Sequence, residues 1–522
     1  MTRRILVIQL ERLGDLVQTT PLLIGLSRAI PQATIDVLAW TEFASIIEGL
    51  PGVTLRTLPS RHVRDLNDDV EQARARNLEP HSALRSLAEL ALPAYDRIIN
   101  VTHGAFASWL SGRLSAPVRD GGFINETGEW LYAGDWLTLL VAMSEIRREN
   151  LINIVDLYRA CAAAGPPSDD AHAHAICSEC VPFTMPEGAF AVIAPGANEP
   201  QRQFNVATTI QVLAQIHSMG LQIVLAGAAS DREFANTLVA SAAVPLIDLT
   251  GKTDVQQLAH VLKRAAIVVA GDSGTAHIAA ALGRPLVALY GASLAPFTTA
   301  PWGQGHVMLI AESMEAFSRD LIMSAIRMRL EESGTPNLRR EAVAARVQAW
   351  RTAMLPATAD PLGGVTYLPL HSDRLEQSDI ARRLTRHAIA ATIMQGSVDS
   401  RHLWSLAPNG IASEIAGDRR IIDLEQQLDD LASDVGRGLT QLRAGQFESL
   451  QELAGRVSAT IVGLREQCAG HAASEPVILF LDWKLRVLPA YSPERIFQEN
   501  EAELRRAART LRMIRAAAAK MN

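Results

Sequence analysis

The stretch "AIVVAGDSGTAHIAAALGRPLVALYG", residues 266 to 291, runs an apolar strand into Gly-Asp-Ser-Gly-Thr and then directly into an alanine-rich helix. Pro285 punctuates the helix end, and a second apolar strand, Leu286–Tyr290, stops at Gly291. A strand, a crossover helix and a second strand at this spacing specify a parallel sheet. The start of the helix offers unpaired N–H groups and the positive end of a dipole. Gly274 lets a ligand approach the backbone, and Ser273 and Thr275 add hydroxyls, so the loop suits a phosphate or diphosphate. Asp272 would repel phosphate; it reads as a ligand for hydroxyls or as a helix cap. His277, one turn into the helix, reads as a donor to a phosphate or sugar oxygen, or as a structural histidine.

Outward from this stretch the same pattern repeats. Strands are expected at Phe190–Ala194, Leu221–Ala226, Pro245–Leu249, Ala266–Ala270 and Leu286–Tyr290, with helices between them and glycine at most strand ends. This predicts a doubly wound domain whose strand C-termini face one crevice. The loop "APGANEPQRQF", residues 194 to 204, places Pro195-Gly196 after a strand, with Arg202 the nearest cation. Arg202 reads as a stabiliser of a leaving diphosphate or as a solvated loop residue. The first ~160 residues alternate likewise, with strands expected at Ile5–Leu10, Thr34–Ala39, Val53–Leu58 and Arg97–Val101. The first of these strands runs into "RLGDLVQTTP", residues 12 to 21, with a helix expected over Leu22–Ala29. Asp15 in that joint reads as a helix cap or as a group doing chemistry in the cleft.

The boundaries implied are a first Rossmann-like domain over 1–164, a Pro-rich linker over 165–189, a second Rossmann-like domain over 190–345 and a mainly helical region over 346–522. In the last region, Ile421 to Leu442 and Leu450 to Leu464 carry heptad-like apolar spacing and predict an antiparallel hairpin. Val477–Leu481 reads as a short strand, and Glu501–Met521 as a helix with a basic side, Arg505 to Arg515. That helix could touch anionic lipid, with a solvated or partner-packing helix favoured; the hairpin could mediate self-association or dock a protein acceptor, with packing onto its own N-terminal domain favoured.

Composition narrows the class. The chain has 522 residues, 48% hydrophobic and 20% charged, with net charge −7 and no dominant basic block, which argues against nucleic acid as a partner. Four cysteines are too few for a disulfide framework. No apolar run reaches the ~18 residues of a membrane span, and the N-terminus lacks the form of a signal peptide. A cytoplasmic protein is expected, peripheral at the inner face of the membrane if the basic helix meets lipid. "HAHAICSEC", residues 172 to 180, has one Cys-x-x-Cys pair with His172 and His174 nearby, but no second pair, so reduced thiols are favoured over a metal site.

Several motifs together resemble glycosyltransferase family 9, the lipopolysaccharide heptosyltransferase group with the GT-B fold. They are Gly14-Asp15 with Thr19-Thr20-Pro21; Pro195-Gly196 with Arg202 and Phe204; Leu249-Thr250-Gly251-Lys252; and Gly271-Asp272-Ser273-Gly274 with His277 and Gly283-Arg284-Pro285. The resemblance covers about residues 1–335 and leaves the helical tail outside. It implies two Rossmann-like domains facing a cleft, an acceptor in the N-terminal half and a nucleotide-diphosphate sugar, ADP-heptose in the family, in the C-terminal half. It implies Asp15 as general base, inversion at the anomeric carbon, no required metal, and Asp231 near the nucleotide ribose. The acceptor is a glycan such as lipopolysaccharide core, or a protein hydroxyl. Arg202 stands where many members have lysine, and Phe204 where tryptophan is common. The alternatives are a non-catalytic sugar-nucleotide-binding scaffold working through its tail and a GT-B sugar-nucleotide epimerase.

Overall fold

A computed structural model describes residues 3–60, 87–147, 150–162, 186–196, 199–293, 295–331, 335–354, 364–372, 377–394, 411–443, 448–486 and 493–519. The chain divides into two compact units, one within 1–128, 153–354 and 364–373, the other built from 129–152 and the chain beyond 374.

The first unit holds two sheets. β1 (Arg4–Gln9), β2 (Thr34–Trp40), β3 (Val53–Leu58), β4 (Arg97–Asn100) and β5 (Val118–Ile124) lie in the order β3-β2-β1-β4-β5, all parallel. Five consecutive residues of β1 are buried, as expected of a strand covered on both faces. Because β1 pairs with β2 on one side and β4 on the other, the strand order reverses between β1 and β4, and a crevice opens at their C-terminal ends. The helix after β1 spans Leu13–Ala29, so it starts nine residues before the expected Leu22. Pro21 lies inside it and cannot donate to the Val17 carbonyl. The Thr20 hydroxyl donates to that carbonyl instead, at 2.8 Å, which lets the helix continue through the proline.

The second sheet contains β7 (Phe190–Ala194), β8 (Gln222–Leu225), β9 (Ile247–Asp248), β10 (Ile267–Gly271), β11 (Leu286–Gly291) and β12 (Val307–Ala311); β6 (Trp130–Ala133) belongs with the second unit. The order β9-β8-β7-β10-β11-β12 puts its reversal at β7/β10. Two further strands, β13 (Gln348–Met354) and β14 (Val365–Pro369), extend it antiparallel beyond β12. Strands therefore occupy 348–354 and 365–369, where helical structure was expected to begin. The α/β class with two Rossmann-like sheets and a helical C-terminal region is as expected. The expected linker 165–189 falls mostly outside the described residues.

The helix Ile154–Cys161 ties the two sheets of this unit together. On the β1–β5 side, the Tyr158 hydroxyl donates to Val101 O at 3.3 Å, and Arg97 donates to Cys161 O at 2.9 Å. On the other side, Asn153 Nδ2 donates to Ala300 O at 3.0 Å and to the Tyr367 hydroxyl at 3.1 Å. Asp156, fully buried, accepts from Trp302 Nε1 at 2.8 Å and Val365 N at 3.1 Å, with Arg159 at 3.8 Å.

The second unit contains β6 (Trp130–Ala133) and the helices Asp135–Met143, Gln377–Ile393, Ile411–Ala416, Arg419–Arg443, Glu448–Cys468, Glu475–Arg486 and Pro493–Ala519. Residues 477–481 are helical, not a strand. A five-residue apolar run suits either element; here all five are buried within Glu475–Arg486. The heptad-like face Ile421, Leu424, Leu428 and Val435 is buried as expected. Its helix packs chiefly on the terminal helix, less on Glu448–Cys468. Arg512 pairs with Asp429 and Arg515 with Glu425, rising numbers meeting falling ones, so these two helices run antiparallel. Arg506 and Lys484 both bind Asp135 at 2.7 Å. Among the described residues no helix is long and apolar enough to cross a membrane.

Asp156→Ala would take the acceptor from Trp302 and Val365 and the counter-charge from buried Arg159. A loss of about 3–5 kcal/mol is expected, read as a lowered urea midpoint; a variant within about 1 kcal/mol of the native chain would remove Asp156 from this role.

Candidate functional site

Both reversal points place loops at strand C-termini, and the two loops meet. On the first sheet, β1 ends in Gln9, whose side-chain amide donates to Thr19 Oγ1 at 2.9 Å and Asp15 O at 3.3 Å. The Thr19 hydroxyl donates to Asp15 O at 2.8 Å. Arg12 N donates to Asp15 Oδ2 at 3.1 Å, so the carboxylate does close the helix start, as a cap would. It is also half-buried, with its pKa pushed up to about 6. Burial is the main cause; the negative charges of Glu11 and Asp272 add to it, and the Arg12 N–H and guanidinium oppose it.

On the second sheet, Ser273 stands at the N-cap of the helix Gly274–Ala281, yet its side chain makes no capping bond. Its hydroxyl oxygen is buried without a hydrogen-bond partner. A buried, unsatisfied hydroxyl at a helix N-terminus is an invitation to an acceptor from outside the chain. Asp272, beside it, is ion-paired with Arg202 and lies 3.5 Å from the Ser293 hydroxyl. Burial raises the Asp272 carboxyl, and Arg202 is the strongest of the groups pulling it back. Arg202, whose other carboxylate neighbour Glu199 is 3.9 Å away, keeps further guanidinium donors for an anion.

Thr275 and His277 are buried in that helix. Burial drives the imidazole down to about 4, so His277 is neutral at pH 7. Its ring lies against Gly14: a Cβ there would be 2.7 Å from Cδ2 and 3.6 Å from Gly274 Cα. Gly14, Asp15, Asp272, Ser273, Gly274 and His277 thus converge, and Arg202 joins through Asp272. Gly196 and Asp231 form a neighbouring pair on the second sheet. Asp231 Oδ2 accepts from Ala228 N at 2.8 Å, and its carboxylate fills the space a side chain at Gly196 would need. Lys252 is engaged locally, donating to Asp248 Oδ2 at 2.8 Å.

Three participants escaped the sequence reading. Glu11 sits at the end of β1 and could have been found as a second carboxylate at a strand C-terminus. Ser293, just past β11, is one hydroxyl among many without its contact to Asp272. Buried Tyr158 comes from a distant helix, and its phenol is pushed up by burial and by the charges of Asp15 and Glu11. Among the described residues no group of three or more His, Cys, Asp or Glu could hold a metal ion. His172, Cys177 and Cys180 lie outside the described residues.

Residues 84–323 match the family described as glycosyltransferase family 9 (heptosyltransferase). Lipopolysaccharide heptosyltransferase 2 of Salmonella typhimurium is 36% identical over 109 residues, 20% of this chain and 31% of that protein. The chain therefore matches just under a third of the length of that relative. Lipopolysaccharide heptosyltransferase 3 of Escherichia coli is 22% identical over 312 residues, 57% of this chain and 86% of that protein. Among solved structures, the E. coli heptosyltransferase WaaC with ADP aligns with a TM-score of 0.48 at 19% identity, covering 62% of this chain and 99% of that one. The resemblance to glycosyltransferase family 9 read from the sequence is shown by the family match and the named relatives.

Gly14→Ala would force the His277 ring to move within a packed interface. A loss of about 1–3 kcal/mol is expected, together with shifted imidazole resonances in the NMR spectrum. In the native chain those resonances should not titrate until the pH nears 4. Unchanged resonances in the variant would remove the contact.

Proposed function

We propose that this chain is an inverting glycosyltransferase that moves a heptose from a nucleotide-diphosphate donor to a hydroxyl of an acceptor glycan. ADP-heptose is the donor the resemblance implies, and the names of the relatives favour lipopolysaccharide core over a protein as the acceptor. The observation that carries the reading is the convergence of Asp15 with Asp272 and the unpartnered Ser273 hydroxyl at the start of an opposing helix.

The acceptor hydroxyl binds on the side of the first sheet. Asp15, with a pKa of about 6, is mostly ionised at pH 7 yet basic enough to take the hydroxyl proton. The oxygen attacks the anomeric carbon while the bond from that carbon to the diphosphate breaks on the opposite face, which inverts configuration. The leaving diphosphate gains negative charge. Arg202, the N–H groups at the start of Gly274–Ala281 and the Ser273 hydroxyl are suited to receive it. The scheme routes no step through a metal. Neutral His277 can donate one hydrogen bond without placing a charge beside the sugar. Asp231 is the candidate for the ribose hydroxyls, with Gly196 leaving room for its carboxylate.

Under this reading, residues 1–164 serve the acceptor, 190–345 the donor, and 346–522 are accessory. Work at the cytoplasmic face of the membrane fits a lipid-linked acceptor. The pairing of Arg506, Arg512 and Arg515 with acids of their own unit favours internal packing of the terminal helix over lipid contact.

Calorimetry with ADP-heptose and a transfer assay on lipopolysaccharide core test the reading together. Asp15→Asn should bind donor normally and turn over roughly 10²–10⁴-fold more slowly. Arg202→Ala should weaken donor binding roughly tenfold to a hundredfold. The native rate should fall as pH drops through about 6, where Asp15 becomes protonated. Full activity in Asp15→Asn would remove the base assignment, and no binding of any nucleotide sugar would overturn the function.

A further inference from the structure

Glu11 has no part in the scheme above, yet it is held in place as firmly as Asp15. Its backbone N–H donates to Gln9 Oε1 at 3.2 Å. Its own carboxylate accepts from His103 N at 3.2 Å, in the loop after β4. One residue earlier, Leu10 N donates to Thr102 Oγ1 at 2.8 Å, and that hydroxyl donates to Ile8 O at 3.2 Å. Successive bonds thus fasten the end of β1 to the end of β4. Glu11, half-buried there, cannot swing into solvent without giving up its bond to His103.

We propose that Glu11 is a positioning residue for Asp15: clamped to the His103 backbone, it keeps a fixed negative charge beside Asp15 and thereby keeps that carboxylate a strong proton acceptor. The inference rests on Asp15 acting as the base. Burial raises the Glu11 carboxyl itself, and the His103 N–H and the Arg12 charge pull it back toward the ionised form. Arg12, on the same loop, opposes Glu11, while Asp272, after β10, acts with it. Asp272 is itself offset by Arg202. Buried Tyr158 and His277 are neutral at pH 7. Glu11 comes second only to burial among the causes that raise Asp15. A base with a lowered proton affinity would be ionised over a wider pH range but would pull less on the acceptor proton.

Glutamine at position 11 separates charge from architecture, because its amide oxygen can still accept from His103 N. The chain, labelled with carbon-13 at the aspartate carboxyls, is titrated by NMR; the resonance missing in Asp15→Asn identifies Asp15. The native midpoint should lie near 6. Glu11→Gln should move it down by about half a pH unit or more, and Glu11→Asp should leave it near the native value. Glu11→Ser serves in place of the glutamine variant should that fail to fold, with the same downward shift expected. An unchanged midpoint in a folded, uncharged variant would overturn the inference. The titration needs no turnover, so its outcome is independent of the transfer assay. A shifted midpoint together with full activity in Asp15→Asn would sink the base assignment, and with it the catalytic role of Glu11, while leaving the electrostatic coupling established.

Discussion

The arrangement depends on two helix N-termini being brought into contact. The helix Leu13–Ala29 begins against the helix Gly274–Ala281: Leu13 lies over Gly274, and the His277 ring lies over Gly14. Each start carries unpaired N–H groups and the positive end of a dipole, and two such ends repel unless negative charge lies between them. Glu11, Asp15 and Asp272 supply that charge. A diphosphate would supply more. Glycines at 14 and 274 permit the approach, since neither position has room for a larger side chain without displacing its neighbour.

Sequence-level reasoning reached furthest where local chemistry and fold coincide. Strand ends marked by glycine and acid predicted the two crevices, because in a doubly wound sheet the loops at the reversal point are the ones left open. Gly14-Asp15 and Asp272–His277 were legible for that reason. Glu11 was not singled out, because its significance lies in a bond to His103 N, 92 residues away in the chain. The start of the first helix was displaced to Leu22 by Pro21, which reads as punctuation until the Thr20 hydroxyl is seen on the Val17 carbonyl. In the second unit, the heptad-like face of Arg419–Arg443 announced a partner but not which one. Choosing the terminal helix over the adjacent one depends on Leu504, Leu511 and Ile514 and on ion pairs across more than 80 residues of sequence.

The helix Ile154–Cys161 explains how crevices on separate sheets stay aligned. It bonds to Val101 O just past the C-terminal end of β4 and to Arg97 at its start, and through Asn153 and Asp156 to the strands and loops of the second sheet. A buried carboxylate such as Asp156 is costly unless every lone pair finds a donor. Its bonds reach both the loop containing Trp302 and the first residue of β14. The two strands that extend the second sheet are thus coupled to the helix joining the sheets.

The Arg202–Asp272 pair resolves a conflict that the sequence alone leaves standing. A carboxylate at the mouth of a phosphate site should repel the ligand, and an arginine nearby should attract it. In the structure each answers the other, so the pair brings little net charge to the site. Under the proposed function, an arriving diphosphate would meet a guanidinium already paired with Asp272. Arg202 has donors enough to serve both, whereas a lysine ammonium, acting as a point charge, would not offer the same planar fork. Under the proposed function, Asp272 held by Arg202 would still have acceptor capacity for hydroxyls of the sugar, a role for which its charge is an advantage rather than a cost.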